Sequence, residues 1–181
     1  MTSHPWGAER GDPSDAELVA VESERRDDDA GVTERVQVER AATPWSALLA
    51  GSGDCPVEIV TGDGIGHRGT VAEVGDSWCL LDSGGRAVLV PFGQVLTVTG
   101  LRRADPDPVA RPRMGAVLRS WGQMRCAVTV RLLDGSSRTG QVVEVLSDAF
   151  ALRLDGGLAG SLTIPSTAVR WIVGDRFTDE R

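Results

Sequence analysis

The sequence predicts a mainly β protein: two tandem five-stranded small barrels, each with an N-terminal helix, after a disordered acidic tail. Three observations carry that prediction. Residues 55–100 and 126–174 repeat one another, so the chain holds two copies of one folding unit. Inside each copy apolar residues recur every second position, between turns rich in glycine. Residues 1–31 are polar and acidic and cannot bury enough apolar surface to offset chain entropy. The expected layout is a tail over 1–40, a first barrel over 43–101, a linker over 102–111, a second barrel over 112–174 and a C-terminal tail over 175–181.

The repeat aligns Cys55 with Cys126, Val57 with Val128, Asp63-Gly64 with Asp134-Gly135, Gly69 with Gly140 and Glu73-Val74 with Glu144-Val145. A one-residue insertion then sets Asp76 on Asp148, Trp78 on Phe150 and Leu80 on Leu152. Pro91, Val95 and Gly100 meet Pro165, Val169 and Gly174.

Each copy opens with a helical pattern. Thr43 suits an N-cap and Pro44 the first helical position. Trp45, Leu48 and Leu49 then share a face, and Gly51 ends the run. In the second copy Met114, Val117, Leu118 and Trp121 fall on one face after Pro112. The tryptophans read as plugs of the core. Val57, Ile59 and Thr61, like Val128, Val130 and Leu132, alternate with partners as half-buried strands do. Asp63-Gly64 and Asp134-Gly135 mark tight hairpins, whose positive φ Gly and Asp tolerate. Gly69 and Gly140 lie inside the next strand, where glycine lets a strand curl over a small barrel. Trp78 and Leu80 start the third strand. Gly84-Gly85 and Gly156-Gly157 turn into the fourth, in which Val88 and Val90 match Leu162 and Ile164. Pro91 and Pro165 interrupt pairing before a short fifth strand. Between the copies, the Pro-punctuated segment after Arg102-Arg103 reads as a stiff linker.

This pattern resembles the Sm-like (LSm, Hfq-type) small β-barrel, over about 43–101 and 112–174. The features that carry the likeness are DG after the first strand, a glycine early in the second and an apolar-x-Pro turn into the fifth. The tandem layout is similar to that of a group of actinobacterial proteins. The resemblance implies barrels of SH3-like topology whose edge strands join neighbours, and a nucleic-acid role. The family's base-reading motif, G-x(6)-D-x-M-N, is met by Gly69 and Asp76, with Trp78 in the Met place. Cys79 stands where the family has Asn, and Ala151 does so in the second copy. Pro91-Phe92 and Pro165-Ser166 replace the family's Arg-Gly, and the Tyr-Lys-His of the bacterial branch is missing.

All 19 basic residues are arginine, and the net charge of −7 is unevenly divided. It is −6 over 1–42, −4 over 43–101 (two Arg against six acids) and +4 over 102–174 (ten Arg against six acids). Arg113, Arg119, Arg131, Arg138 and Arg153 are the candidate nucleic-acid contacts. Arg131 and Arg138 flank a hairpin on a face to which Arg153 is also assigned. Phe92, after Pro91, is the candidate protein contact, because aromatics dominate interface hot spots. Two functions fit these residues: RNA binding through the second repeat, or protein-interaction adaptor work.

Catalysis is not expected. His4 falls in the tail and His67 reads as a polar hairpin residue. No metal-ligand spacing, P-loop or nucleophile elbow occurs. Cys79 reads as a core strand residue. No cofactor and no metal is expected. The longest apolar runs fall short of a membrane span and no signal peptide is legible, so a cytoplasmic protein with reduced thiols is expected. It is expected to be a monomeric pseudo-dimer or a small homo-oligomer.

Overall fold

A computed structural model describes residues 44–102, 112–154 and 160–175. The expected tail over 1–40, linker residues 103–111, the Gly156-Gly157 turn and residues 176–181 lie outside the described residues. The described residues from Trp45 onward belong to one compact unit.

The first repeat runs α1 (Trp45–Ala50), β1 (Val57–Thr61), β2 (Gly66–Val74), β3 (Trp78–Ser83), β4 (Arg86–Pro91), a 3₁₀ turn and β5 (Val95–Thr99). The second runs α2 (Met114–Gln123), β6 (Ala127–Leu132), β7 (Ser137–Val145), β8 (Ala149–Leu154), β9 (Ser161–Pro165), a 3₁₀ turn and β10 (Val169–Asp175). Among the described residues the expected helices, strands and turn positions are therefore present. The ten strands form one antiparallel sheet in the order β5-β1-β2-β3-β4-β10-β6-β7-β8-β9. This corrects the expectation of two five-stranded barrels: neither five-stranded unit closes on itself. β4 gives its free edge to β10 of the other repeat instead of to its own β5, pairing Ile172 with Leu89 and Gly174 with Ala87.

The repeats bend in the same way. Both second strands carry a bulge two residues beyond a shared reference point, between Val71 and Glu73 and between Val142 and Glu144. A Cβ at Gly69 would strike the carbonyl of Asp82, and one at Gly140 that of Arg153. Glycine is needed at both places for the same close crossing of backbones.

The pairing also corrects the alignment. Thr70 faces Asp82 as Gln141 faces Arg153, and Cys79 faces Val90 as Phe150 faces Ile164. The match is thus Cys79 to Phe150 and Trp78 to Ala149. The extra residues belong in the β8–β9 turn, not before β8. A one-residue slip turns every side chain to the other face, so Trp78 does not do in its repeat what Phe150 does.

What Trp78 does follows from its face. Cys79, Leu81, Val88 and Val90 point into the first repeat's core with Leu49, Val57 and Ile59. Trp78, Leu80, Ala87 and Leu89 point the other way, into a core built with Val117, Leu118, Trp121, Val130 and Ile172 of the second repeat. β3 and β4 are buried on both faces, which is why their sequences are continuous apolar runs. Each large side chain placed there contributes roughly 1.5–3 kcal/mol. The Trp78 indole N–H donates to the Pro112 carbonyl at 3.0 Å, tying the start of α2 to the first repeat.

The seam has a polar end. Asp63, from the β1–β2 turn, accepts from the Trp171 indole at 3.3 Å and meets Arg131 at 3.6 Å. Arg170 donates to the Leu133 carbonyl at 2.9 Å. Burial pushes the Asp63 carboxyl up, but bonds from Thr61, the Ile65 amide and Trp171 outweigh it and hold it below the usual value. His67 corrects another expectation: it is 8% exposed, its ring edge-on to Trp171 at 5.2 Å. The hairpin position it was given as a polar surface residue is covered by β10. Burial lowers its pKa below 6.5, against the pull of Asp63. In the helices, Trp121 is a core plug as expected, but α1 buries Ser46, Ala47 and Leu49 while Trp45 stays 37% exposed.

Two outcomes are expected. Trp78→Ala, which empties a site shared by both repeats, should cost about 3–5 kcal/mol. It should lower a single unfolding transition seen by both circular dichroism and tryptophan fluorescence. Because folded His67 resists protonation, the unfolded chain binds the proton first. Stability should then be complete above pH 6.5 and fall as pH drops through that value. The loss between 6.5 and the carboxylate range should vanish in His67→Gln, as measured by urea melts across pH.

Candidate anion-binding groove

α2 lies along β7 because two of its residues on the face toward that strand, seven positions apart, are glycines. A Cβ at Gly122 would sit 2.9 Å from the Val142 carbonyl, and one at Gly115 3.3 Å from Val145. Glycine in a helix costs about 1 kcal/mol each. Here the loss of side chain is what lets the helix approach. Val117, Leu118 and Trp121 bury the opposite stripe.

Where the helix leaves the sheet, an open groove of about 550 Å³ remains. Arg119 on α2, Arg125 just after it and Arg153 on β8 line it, with Gln123, Gln141 and Glu144. Val142, Val143 and Val145 form its floor and wall. All three arginines are exposed.

Arg125 is the unusual member. Its φ is 54°, the one positive φ of a non-glycine among the described residues. Its amide donates to the Gly122 carbonyl and the Cys126 amide to the Trp121 carbonyl. That pair of bonds is the Schellman ending of a helix, whose left-handed position normally carries glycine. An L-residue there costs on the order of 1 kcal/mol or more. The Arg125 carbonyl also accepts from the Gln141 amide at 3.3 Å, which fixes the loop to β7. The strained position thus carries an arginine that lines the groove.

The matching surface of the first repeat has the opposite charge. By strand register Arg153 corresponds to Asp82, and Arg125, three residues ahead of Val128, corresponds to Asp54, three ahead of Val57. The groove's basic character therefore belongs to the second repeat alone, although the backbone is shared.

The structure gathers Arg119 and Arg153 and adds Arg125. It places the other expected contacts elsewhere. Arg113 is exposed at the far end of α2 as its N-cap residue. Arg131 is engaged at the seam with Asp63 and donates to Ser137 Oγ at 3.3 Å. Arg138 donates to the Ser137 carbonyl at 2.8 Å. Paired residues share a face, so Arg131 shares that of Ser137, Gln141 and Arg153, but four residues off along β7, about 13 Å. Arg138 is on the opposite face, so the three do not form one patch. Asp134 in that hairpin is held below the usual carboxylate value by Ser136, through side chain and amide, helped by Arg138 and Arg131. Arg125 is one of the ten arginines of the basic half but was not among the candidate contacts, because nothing in a sequence marks a left-handed position when glycine is absent from it.

Phe92 is half-buried against the first core and stacks edge-on with Trp45 at 4.7 Å. Cys79 is fully buried and burial pushes its thiol up to about 12. Cys55 and Cys126 are half-buried. Among the described residues no three His, Cys, Asp or Glu side chains are placed to hold a metal ion.

Compared with known proteins, the chain matches no family model, and no curated protein matches it.

Two substitutions separate the groove's backbone from its side chains. Arg125→Gly should raise stability by about 1 kcal/mol, since glycine adopts the left-handed conformation freely. Gly122→Ala should lower it by roughly 1–3 kcal/mol despite alanine's better helix propensity, because the helix must move off β7. Urea denaturation of the two variants gives both signs.

Proposed function

We propose that this chain is a non-enzymatic, cytoplasmic RNA-binding protein made of two Sm-like units of SH3-like topology. The second unit holds phosphates in the groove between α2 and β7. The observation that carries this reading is Arg125, kept at a helix ending where glycine would be more stable. Strain of that kind is retained where a side chain is used. Arg119 and Arg153 beside it supply the planar forks that suit phosphate, and Gln123 and Gln141 add neutral donors. The groove's lining carries no thiol, imidazole or hydroxyl, which favours binding over covalent chemistry.

The binding is through the backbone of the nucleic acid, not its bases. Cys79 stands where the resembled family reads a base with Asn, and it is sealed in the core. The affinity should therefore be steeply salt-dependent and weakly sequence-dependent.

Filter binding of single-stranded and structured RNA tests this. Binding should be measurable at about 50 mM salt and fall as salt rises. Arg119→Gln, Arg125→Gln and Arg153→Gln combined should flatten the dependence of log affinity on log salt by about 2, at roughly 0.7 per phosphate contact. Arg131→Gln with Arg138→Gln should change it little. No binding at low salt ends the reading.

A second reading, a protein-interaction adaptor, rests on Trp45 and Phe92, an aromatic pair open on one side at 37% exposure of Trp45. Affinity purification from cells with and without ribonuclease separates the two. A defined protein partner that survives ribonuclease and is lost in Phe92→Ala favours the adaptor. Partners that all vanish favour RNA.

A further inference from the structure

We propose that Glu144 makes the groove selective for ribose. Its carboxylate accepts a hydrogen bond from the 2′-hydroxyl of a strand whose phosphates lie on Arg119, Arg125 and Arg153. This rests on the reading of the groove as an RNA site and names what the site uses to tell RNA from DNA. A carboxylate in the lining of an anion groove repels the phosphates that three arginines attract, yet Glu144 stands exposed among them. Among the described residues it accepts no hydrogen bond and is bridged to no arginine, unlike Asp63 at the seam. Its acceptor oxygens are left for a ligand.

The sheet register sets Glu144 between two of the arginines. Glu144 pairs with Ala151, and Gln141 with Arg153. Ala151 and Arg153 are two apart on one strand, so Glu144 and Arg153 project from the same face, roughly 7 Å apart along β8. On the other side, a Cβ at Gly115 would lie 3.3 Å from Val145 Cγ1 and 3.4 Å from Arg119 Nη1. The Arg119 guanidinium therefore hangs beside the residue that follows Glu144. A strand laid across both arginines passes Glu144 between them. In RNA the sugar there carries a 2′-hydroxyl next to its 3′-phosphate, and that hydroxyl can donate; deoxyribose has no donor at the place.

Comparison of the repeats isolates the same residue. Asp54 and Asp82 of the first repeat are replaced by Arg125 and Arg153 in the second, which turns the surface basic. At a third matching position the carboxylate stays: Glu73 pairs with Leu80 as Glu144 pairs with Ala151. A groove that only attracted phosphate would hold it better with a neutral residue there. A carboxylate among phosphate-binding cations is useful toward a ligand that also carries a donor. The 2′-hydroxyl is the donor that belongs to the backbone itself, in keeping with binding that does not read bases.

The test uses the full chain and one short mixed sequence, with uracil in place of thymine throughout, made with ribose, deoxyribose or 2′-fluoro sugars. The fluoro sugar keeps the pucker of ribose but cannot donate. At about 50 mM salt the wild-type protein should bind the ribose strand about tenfold more tightly than either of the others, the worth of one hydrogen bond to a charged group. Glu144→Ala should bind all three alike, and should bind the deoxyribose strand more tightly than the wild type does, because a like charge is gone. Glu144→Gln keeps an acceptor oxygen without the charge and should show a reduced preference. Circular dichroism checks the fold of each, and Glu144→Gln carries the test alone if Glu144→Ala does not fold. The proposal is overturned if the wild type binds ribose and deoxyribose strands alike, or if it binds the fluoro strand as tightly as ribose, which would mean that sugar shape is read. A preference unchanged in the folded variants overturns it too. In each of these cases RNA is still bound and only the role of Glu144 is lost. If no strand binds at that salt, the RNA-site reading itself fails and this proposal with it.

Discussion

The pairing of β4 with β10 is the interaction on which the rest of this structure depends. Five short strands and a helix of six or ten residues make a marginal unit alone, because a small domain buries too little of its surface. Joining two units at one edge makes a continuous sheet and doubles the use of β3 and β4. One face of those strands fills the first core and the other completes the second. The second repeat therefore never has a core of its own in the full sense. Its interior includes Trp78, Leu80 and Leu89 from the first.

The same seam positions the groove. Pro112, at the start of α2, accepts from Trp78, so one end of the helix is anchored on the first repeat. The rest is held on β7 by contacts that only glycine permits. The loop that follows must turn sharply to feed β6, and Arg125 takes the left-handed turn. Positioning and strain thus come from packing constraints, and the guanidinium is carried on a backbone with little freedom to retreat. The acidic first repeat plays the complementary part at the seam, where Asp63 receives Trp171 and Arg131. An arginine used there is neutralised by its partner, whereas those in the groove face one carboxylate, Glu144.

Much of the fold was legible because its signals are local. Period-two patterns, the DG turns, the strand glycines at 69 and 140 and the prolines at 91 and 165 each act within a few residues, and the structure has strands and turns where they stand. The buried runs WCLL and AVLV were legible too, though their meaning was not taken up. Strands that break alternation with apolar residues on both faces are covered on both faces. Aligning aromatic with aromatic set Trp78 on Phe150, because residue type resembles residue type. The hydrogen-bond register sets it on Ala149, because a strand's faces are decided by parity.

By itself the sequence determined the repeat, the strand class, the turn positions and the concentration of arginine in the second copy. Those follow from side-chain chemistry and short-range backbone preference, which do not need a partner in space. The tertiary structure alone decided that the units share one sheet, that His67 is covered and that Arg131 is tied to Asp63. It also decided that Arg119, Arg125 and Arg153 meet. Each of these depends on which edge a strand offers to which neighbour, a contact between residues as much as 108 positions apart, and the free energy of such a contact is written in no single segment of the chain.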